Sequence, residues 1–251
     1  MSEIIFIGVD LAWSDRNPTG IAILRTSKTG TRLSAVHTVN GGVSIADFIR
    51  SHSTPHILVA IDAPLIITNT TGQRTCENEV GKRYGARNAS CHTSNLTLRP
   101  NSAGVVLLKE LMKSGFQHFD IDDPAQSGKL VAEVYPHAAM VALWNLPKAL
   151  SYKKGTVVQR RVGLETLRLQ LRGLQRADPP LDHSDVLDEL LSRDLAELRG
   201  RQLKNYEDQL DAVFCAYLAY YFWYWRDERS EVFGDTANGY ILNPKLQPGR
   251  S

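Results

Sequence analysis

The stretch IIFIGVD, residues 4–10, decides how the fold is read: an apolar run of strand length that stops on an acid. A continuous apolar run, rather than an alternating one, marks a central strand buried on both faces. An acid at the exit of such a strand has two uses. It can accept hydrogen bonds in a turn, or it can hold a metal. The choice rests on what else ends at the same edge.

Working outward, SDRNPTG (14–20) is turn chemistry, GIAILRT (20–26) a second strand, and TGTRLSAVHTV (29–39) a turn and a third strand. Connections this short predict an antiparallel meander. VSIADFIRSH (43–52) carries apolar residues at helical spacing, at Val43, Ala46, Phe48 and Ile49. HILVAIDAPL (56–65) is another buried strand, and it too exits on an acid, Asp62. A polar segment follows (71–95), with a short helix expected inside a loop. SAGVVLLKELMKSG (102–115) reads as a helix with a glycine stop. GKLVAEVYPHAAMVALW (128–144) reads as a third buried strand holding Glu133, then a helix after Pro136.

Residues 145–156 read as loop and 157–175 as an amphipathic helix. Leu164, Leu167, Leu171 and Leu174 share one face of it, Arg161, Arg168 and Arg172 another. Residues 181–200 predict a second such helix, and a long helix is expected from near Tyr206 to Trp225. GYILNP (239–244) is expected as a last edge strand. The order predicts an α/β fold: a mixed five-stranded sheet with helices on both faces. The first strand would run parallel to those ending at Asp62 and Glu133, because helical crossovers separate them. One domain over 1–251 is expected, with a helical insertion at about 145–204.

In open α/β sheets the functional crevice lies beyond the carboxyl ends of the parallel strands. Asp10 and Asp62 would sit there, with Glu133 on or just inside the end of its strand. Asp208 and Asp211, three apart near the start of the last long helix, share a face. Ala212, Ala216 and Ala219 follow at helical spacing and would let that helix approach the sheet closely. Each acid alone suits a turn or a helix start. Together they would repel one another unless a cation sits between them. A carboxylate site of this kind suits Mg2+ or Mn2+. Two such ions about 3.5–4 Å apart serve phosphodiester hydrolysis.

GVDLAWS with TGIAIL, AIDAPL, Arg74-x-Cys76-Glu77, EVYPHAA and DQLDAVFCAYLA together resemble the family called domain of unknown function 429, over nearly the whole chain. The resemblance implies a ribonuclease H-like fold and the activity of a metal-dependent nuclease, a hydrolase. The acids also resemble the pattern of Holliday-junction resolvases, with an Asp ending strand one, an acid ending strand four and a D-x-x-D pair opening the last helix. The matching positions are Asp10, Asp62, Asp208 and Asp211, which the resemblance makes catalytic and metal-binding. Glu133 matches a family motif and is a further metal-ligand candidate.

Substrate phosphates would be taken by Arg74, Arg83 and Arg87 in the segment after Asp62, and by the Arg161, Arg168 and Arg172 stripe. From Lys148 to Arg176 the chain has eight lysines and arginines and one acid, Glu165, although the net charge is only +2. The expected partner is DNA or RNA. Two rival readings share these residues: a small-molecule phosphotransferase or phosphohydrolase on a related fold, and a non-catalytic nucleic-acid-binding module. The three cysteines form no CxxC pair, which predicts a reduced, cytoplasmic protein. Residues 210–225 are too short and too rich in tyrosine to span a membrane and read as a buried helix. The aromatic cluster Tyr220 to Trp225 reads as core or subunit contact, which leaves a homodimer open.

Overall fold

A computed structural model describes residues 3–13, 17–40, 44–52 and 54–246. The expected turn residues Ser14 to Arg16 and the expected helix position Val43 lie outside these. Strands β1 (Ile5–Asp10), β2 (Thr19–Ser27) and β3 (Gly30–Val39) form the antiparallel meander. Helix α1 (Ile45–Ser51) leads to β4 (Ile57–Ile61), which lies parallel to β1. Helices α2 (Thr75–Tyr84) and α3 (Ala103–Lys113) precede β5 (Gln117–His118) and β6 (Lys129–Glu133). The α3 helix stops where Gly115 turns to a φ of 84°, a conformation that glycine reaches at little cost. The sheet order is β3-β2-β1-β4-β6-β5. This meander followed by parallel strands is the ribonuclease H-like sheet that the resemblance implies.

Two expectations about strands are corrected. The sheet has six strands rather than five, because the two-residue β5 adds to the edge of β6. The GYILNP segment is not an edge of this sheet. It is β8 (Gly239–Pro244), paired antiparallel with β7 (Ser230–Asp235) in a separate hairpin. Asp235 Oδ1 closes that turn by accepting from the Ala237 and Asn238 amides. The polar SEVFGD of β7 lacks the apolar signal of a buried strand, so the pairing partner was not visible.

Alternation along the strands sorts the core into two layers. Ile5, Ile7 and Val9 of β1, with Ile57, Val59 and Ile61 of β4, pack beneath α1 and α3. Phe6 of β1, Leu58 and Ala60 of β4 and Leu130 and Ala132 of β6 pack on the other face, beneath α7 (Gly200–Arg229). This helix starts earlier than expected and breaks at Arg226, whose φ is 45°. Its residues Leu210 to Phe222 are buried throughout. Among the described residues no helix is long and apolar enough to cross a membrane.

α7 sits unusually close to the sheet for a local reason. A Cβ on Gly8 of β1 would lie 2.1 Å from the Ala212 carbonyl oxygen, and one on Gly20 of β2 would lie 2.2 Å from that of Asp208. Bare backbone on the strands meets small residues on the helix. Gly20 is also the register partner of Asp10. The contact that seats α7 therefore brings its acids to the end of β1.

The segment before α7 contains α4 (Pro136–Leu143), α5 (Val157–Gly173) and α6 (Asp185–Ser192). Thr156 and Gln159 cap α5 reciprocally, the S/T-x-x-E/Q device that starts a helix. Leu164, Leu167 and Leu171 of α5 and Leu187, Leu190 and Leu191 of α6 bury in the same layer as α7. The helix expected over 181–200 is shorter. It starts after the Ser184 cap and ends where Arg193 turns to extended backbone.

Candidate active site

Asp10, Asp62 and Asp208 line one cavity of about 610 Å³ at the carboxyl ends of β1 and β4. Asp10 continues the Phe6–Gly8 face of β1, and Asp62 continues the Leu58–Ala60 face of β4, so both point toward α7. Asp211 is one turn further along α7 and fully buried below them. Its Oδ1 accepts from the Tyr152 hydroxyl at 2.7 Å. Its Oδ2 is ion-paired with the Lys153 ammonium at 2.8 Å. No hydrogen bond to the Asp10 or Asp62 carboxylate is found among the described residues.

Lys153 is the residue that sequence reasoning missed. It sits in the SYKKG loop before α5, where nothing local says that one lysine of a pair turns inward. Burial alone would lower its pKa, but Asp211, Asp10 and Asp62 overcome this and hold it well above the usual lysine range. Burial pushes Asp10 well up, Lys153 opposes this, and Asp211, Asp62 and Asp208 add to the rise. Asp62 is pushed up to about 7, by burial first, with Lys153 opposing and Asp211 and Glu133 adding to it. Lys204 bonds Asp208 and, at 3.0 Å, Glu207, which also accepts from Arg160 at 2.9 Å. His137 lines the cavity with its Nδ1 unpartnered, and burial together with Lys153 lowers its pKa to about 4.

The raised Asp62 has a thermodynamic consequence. Folded Asp62 keeps its proton where unfolded Asp has already lost it. The stability this contributes is complete below about pH 4 and is lost as pH rises through about 7. Without metal, Asp62→Asn should therefore out-melt the wild type by a margin that widens between about pH 4 and about pH 8. Thermal denaturation of both proteins in chelator at each pH measures it. A margin that stays flat would place Asp62 outside a repulsive environment.

Glu133 does not join the acids, correcting its assignment as a metal ligand. The strands run in register Val9–Ile61–Glu133. Glu133 is thus level with Ile61 rather than Asp62, and one residue of offset turns a side chain to the other face. There it accepts from Arg74 Nη1 and Nη2 at 2.9 and 2.6 Å and from the Leu65 amide at 2.8 Å. Arg74 is corrected with it. Its guanidinium is buried, bonds Glu77 at 2.8 Å as well, and lines not this cavity but a small neighbouring one that also touches Asp62.

The other arginines also lie away from the acids. Arg83 is exposed on α2, and Arg87 donates to the Leu146 carbonyl at 3.1 Å. The expected solvent-facing stripe on α5 is in part a docking surface: Arg168 is buried and Arg161 half-buried, while Arg172 stays exposed. Arg168 and Arg172 both donate to the Leu191 carbonyl, and Arg161 donates to those of Ala196 and Leu198. The C-terminal carbonyls of α6 lack intrahelical partners; Arg168 and Arg172 satisfy that of Leu191, and Arg161 ties the chain beyond the helix.

The family model described as "Protein of unknown function (DUF429)" matches residues 8–238. The chain belongs to the DUF429 family. No curated protein matches it. Among solved structures it is similar to a Fowlpox virus resolvase, determined in complex with its substrate Holliday junction DNA. That match has 8% identity and a TM-score of 0.32, covering 86% of this chain and 93% of that one. So distant a likeness does not bear on function.

A divalent cation fits Asp10, Asp62, Asp208 and Asp211 in kind. They are hard oxygen donors, and the buried Asp211 Oδ2 has only the Lys153 ammonium, at 2.8 Å, as a partner. Their present spacing is looser. Among the described residues no three His, Cys, Asp or Glu side chains come together as a ligand group. Lys153 lies among them, and a metal ion would have to replace its ammonium.

Proposed function

We propose that this protein is a metal-dependent nuclease that hydrolyses phosphodiester bonds of nucleic acid. One observation carries the reading: Asp10 and Asp62 at the ends of β1 and β4 and Asp208 on α7 line a single cavity, with Asp211 buried one turn further along the helix. Asp10, Asp62, Asp208 and Asp211 would hold Mg2+ or Mn2+. A bound ion of this type supplies activation of water and stabilisation of the leaving oxygen.

The chain's own residues supply the rest. Tyr152 fixes one oxygen of Asp211 and so sets the direction of the other. Lys204, on the cavity wall, holds Asp208, and Arg160 with Lys204 holds Glu207, so the helix acids are braced. Lys154, exposed at the rim, offers its charge to a backbone phosphate.

The test is incubation with labelled DNA and RNA strands, duplexes and junctions in Mg2+ or Mn2+, beside Asp10→Asn. Wild type should cut at least one substrate. Asp10→Asn should bind that substrate unchanged and leave it uncut. Cleavage by the variant at the wild-type rate would remove these acids from the chemistry.

A further inference from the structure

Beside the acid cavity lies a second one of about 270 Å³, and Trp13 lines both. An exposed tryptophan alone carries no meaning. This one is 51% exposed and carries the Arg99 guanidinium 3.4 Å from its ring centroid. His92, from the acid cavity's wall, meets the ring edge-on at 6.0 Å.

Arg99 is unlike Arg74, Arg87 and the arginines of α5, which bond carbonyls or carboxylates. No side-chain hydrogen bond or ion pair of Arg99 is found among the described residues, and its Nε is shut off from solvent without a partner. A buried N–H left unsatisfied is costly. Contact with an aromatic face offsets only part of that. The guanidinium thus sits over a ring, at the wall of a cavity, with no side-chain donor spent among the described residues. Planar donors of this kind suit a phosphate, and a π surface beside them suits a nucleobase.

We propose that Trp13 and Arg99 form a nucleotide subsite: an unpaired base stacks on the Trp13–Arg99 platform while Arg99 takes a backbone phosphate, so that the strand continues from here into the acid cavity. This rests on the nuclease reading and narrows its substrate to a strand with an unpaired nucleotide next to the bond cut. Duplex bases are already stacked on one another and cannot use the platform.

The experiment is fluorescence anisotropy with a fluorescein-labelled oligothymidylate and a labelled blunt duplex, in chelator and across a salt series. Wild type, Trp13→Ala, Trp13→Phe and Arg99→Ala are compared, with melting curves establishing that each is folded. Trp13→Ala should weaken oligothymidylate binding at least about fivefold with the salt dependence unchanged, and Trp13→Phe should restore most of it. Arg99→Ala should weaken binding and flatten the log–log salt slope by about 0.7. Duplex binding should be indifferent to Trp13→Ala. If the variants bind oligothymidylate like wild type while Asp10→Asn still abolishes cleavage, the subsite is wrong and the nuclease reading stands. An equal loss on duplex would likewise overturn base stacking. If wild type neither binds nor cuts any strand, both fall together.

Discussion

Arg74→Ala should destabilise the protein by about 3–5 kcal/mol, the range for removing one partner of a buried ion pair. Arg74, Glu77 and Glu133 are all buried, and the arginine bonds both acids. It also donates to the Ile66 carbonyl, and its own amide is capped by Glu77. One side chain thereby ties the loop after β4, the start of α2 and the end of β6. Removing it leaves two carboxylates without their cation and opens a gap beside Gly239. Burial already raises the Glu133 pKa, and Arg74 is what lowers it. In the variant Glu133 rises further. A raised acid contributes stability at low pH and loses it as pH rises, so the deficit should be smaller at about pH 5 than at about pH 8. Denaturant midpoints at the two pH values measure both claims. Substrate affinity per folded molecule should stay at the wild-type level, because Arg74 does not line the acid cavity. A loss under about 1 kcal/mol would show that the network is not what holds these elements.

The contrast between Arg74 and Asp10 shows where legibility in sequence ends. Asp10 and Asp62 could be placed because each terminates an apolar run, and a strand end is a local property. Glu133 was misplaced because its role depends on register with a strand seventy residues away. In AIDAP and AEVYP the acids differ by one position, and that offset decides the face. The basic positions of α5 were separated correctly from its leucines by periodicity. Periodicity distinguishes polar from apolar but not water from a neighbouring helix end, so the docking of Arg168 on Leu191 was invisible. The Ala-lined face of α7 was readable. Its partners Gly8 and Gly20 stood in the quoted motifs, but only the pairing of β1 with β2 makes them one surface. Lys153 lies in a loop without periodicity, and its direction is set by charges from three distant elements.

Lys153→Ala should cost about 3 kcal/mol in chelator at about pH 8, again as the loss of one partner from a largely buried pair. Its side chain is 27% exposed, whereas that of Asp211 is fully enclosed. Asp211 would keep only the Tyr152 hydroxyl, and Asp10 and Asp62 would lose the charge that most opposes their upward shift. Both would then hold protons to still higher pH, so the deficit should shrink toward about pH 5. The sign of the metal effect is the sharper test. If Lys153 occupies the place that the carboxylates would offer a cation, wild type must give up an ion pair to take Mn2+ and the variant need not. Binding to the native state alone adds RT ln(1 + [L]/Kd), about 1.4 kcal/mol for each decade of ion above Kd. Mn2+ should therefore raise the melting temperature of Lys153→Ala more than that of wild type, starting at a lower concentration, and adding Asp211→Asn should abolish the difference. Equal shifts in wild type and Lys153→Ala would mean that the ammonium and the ion do not compete. The ion would then bind elsewhere, and Lys153 would be a permanent counter-ion that keeps these acids folded rather than free to ligate.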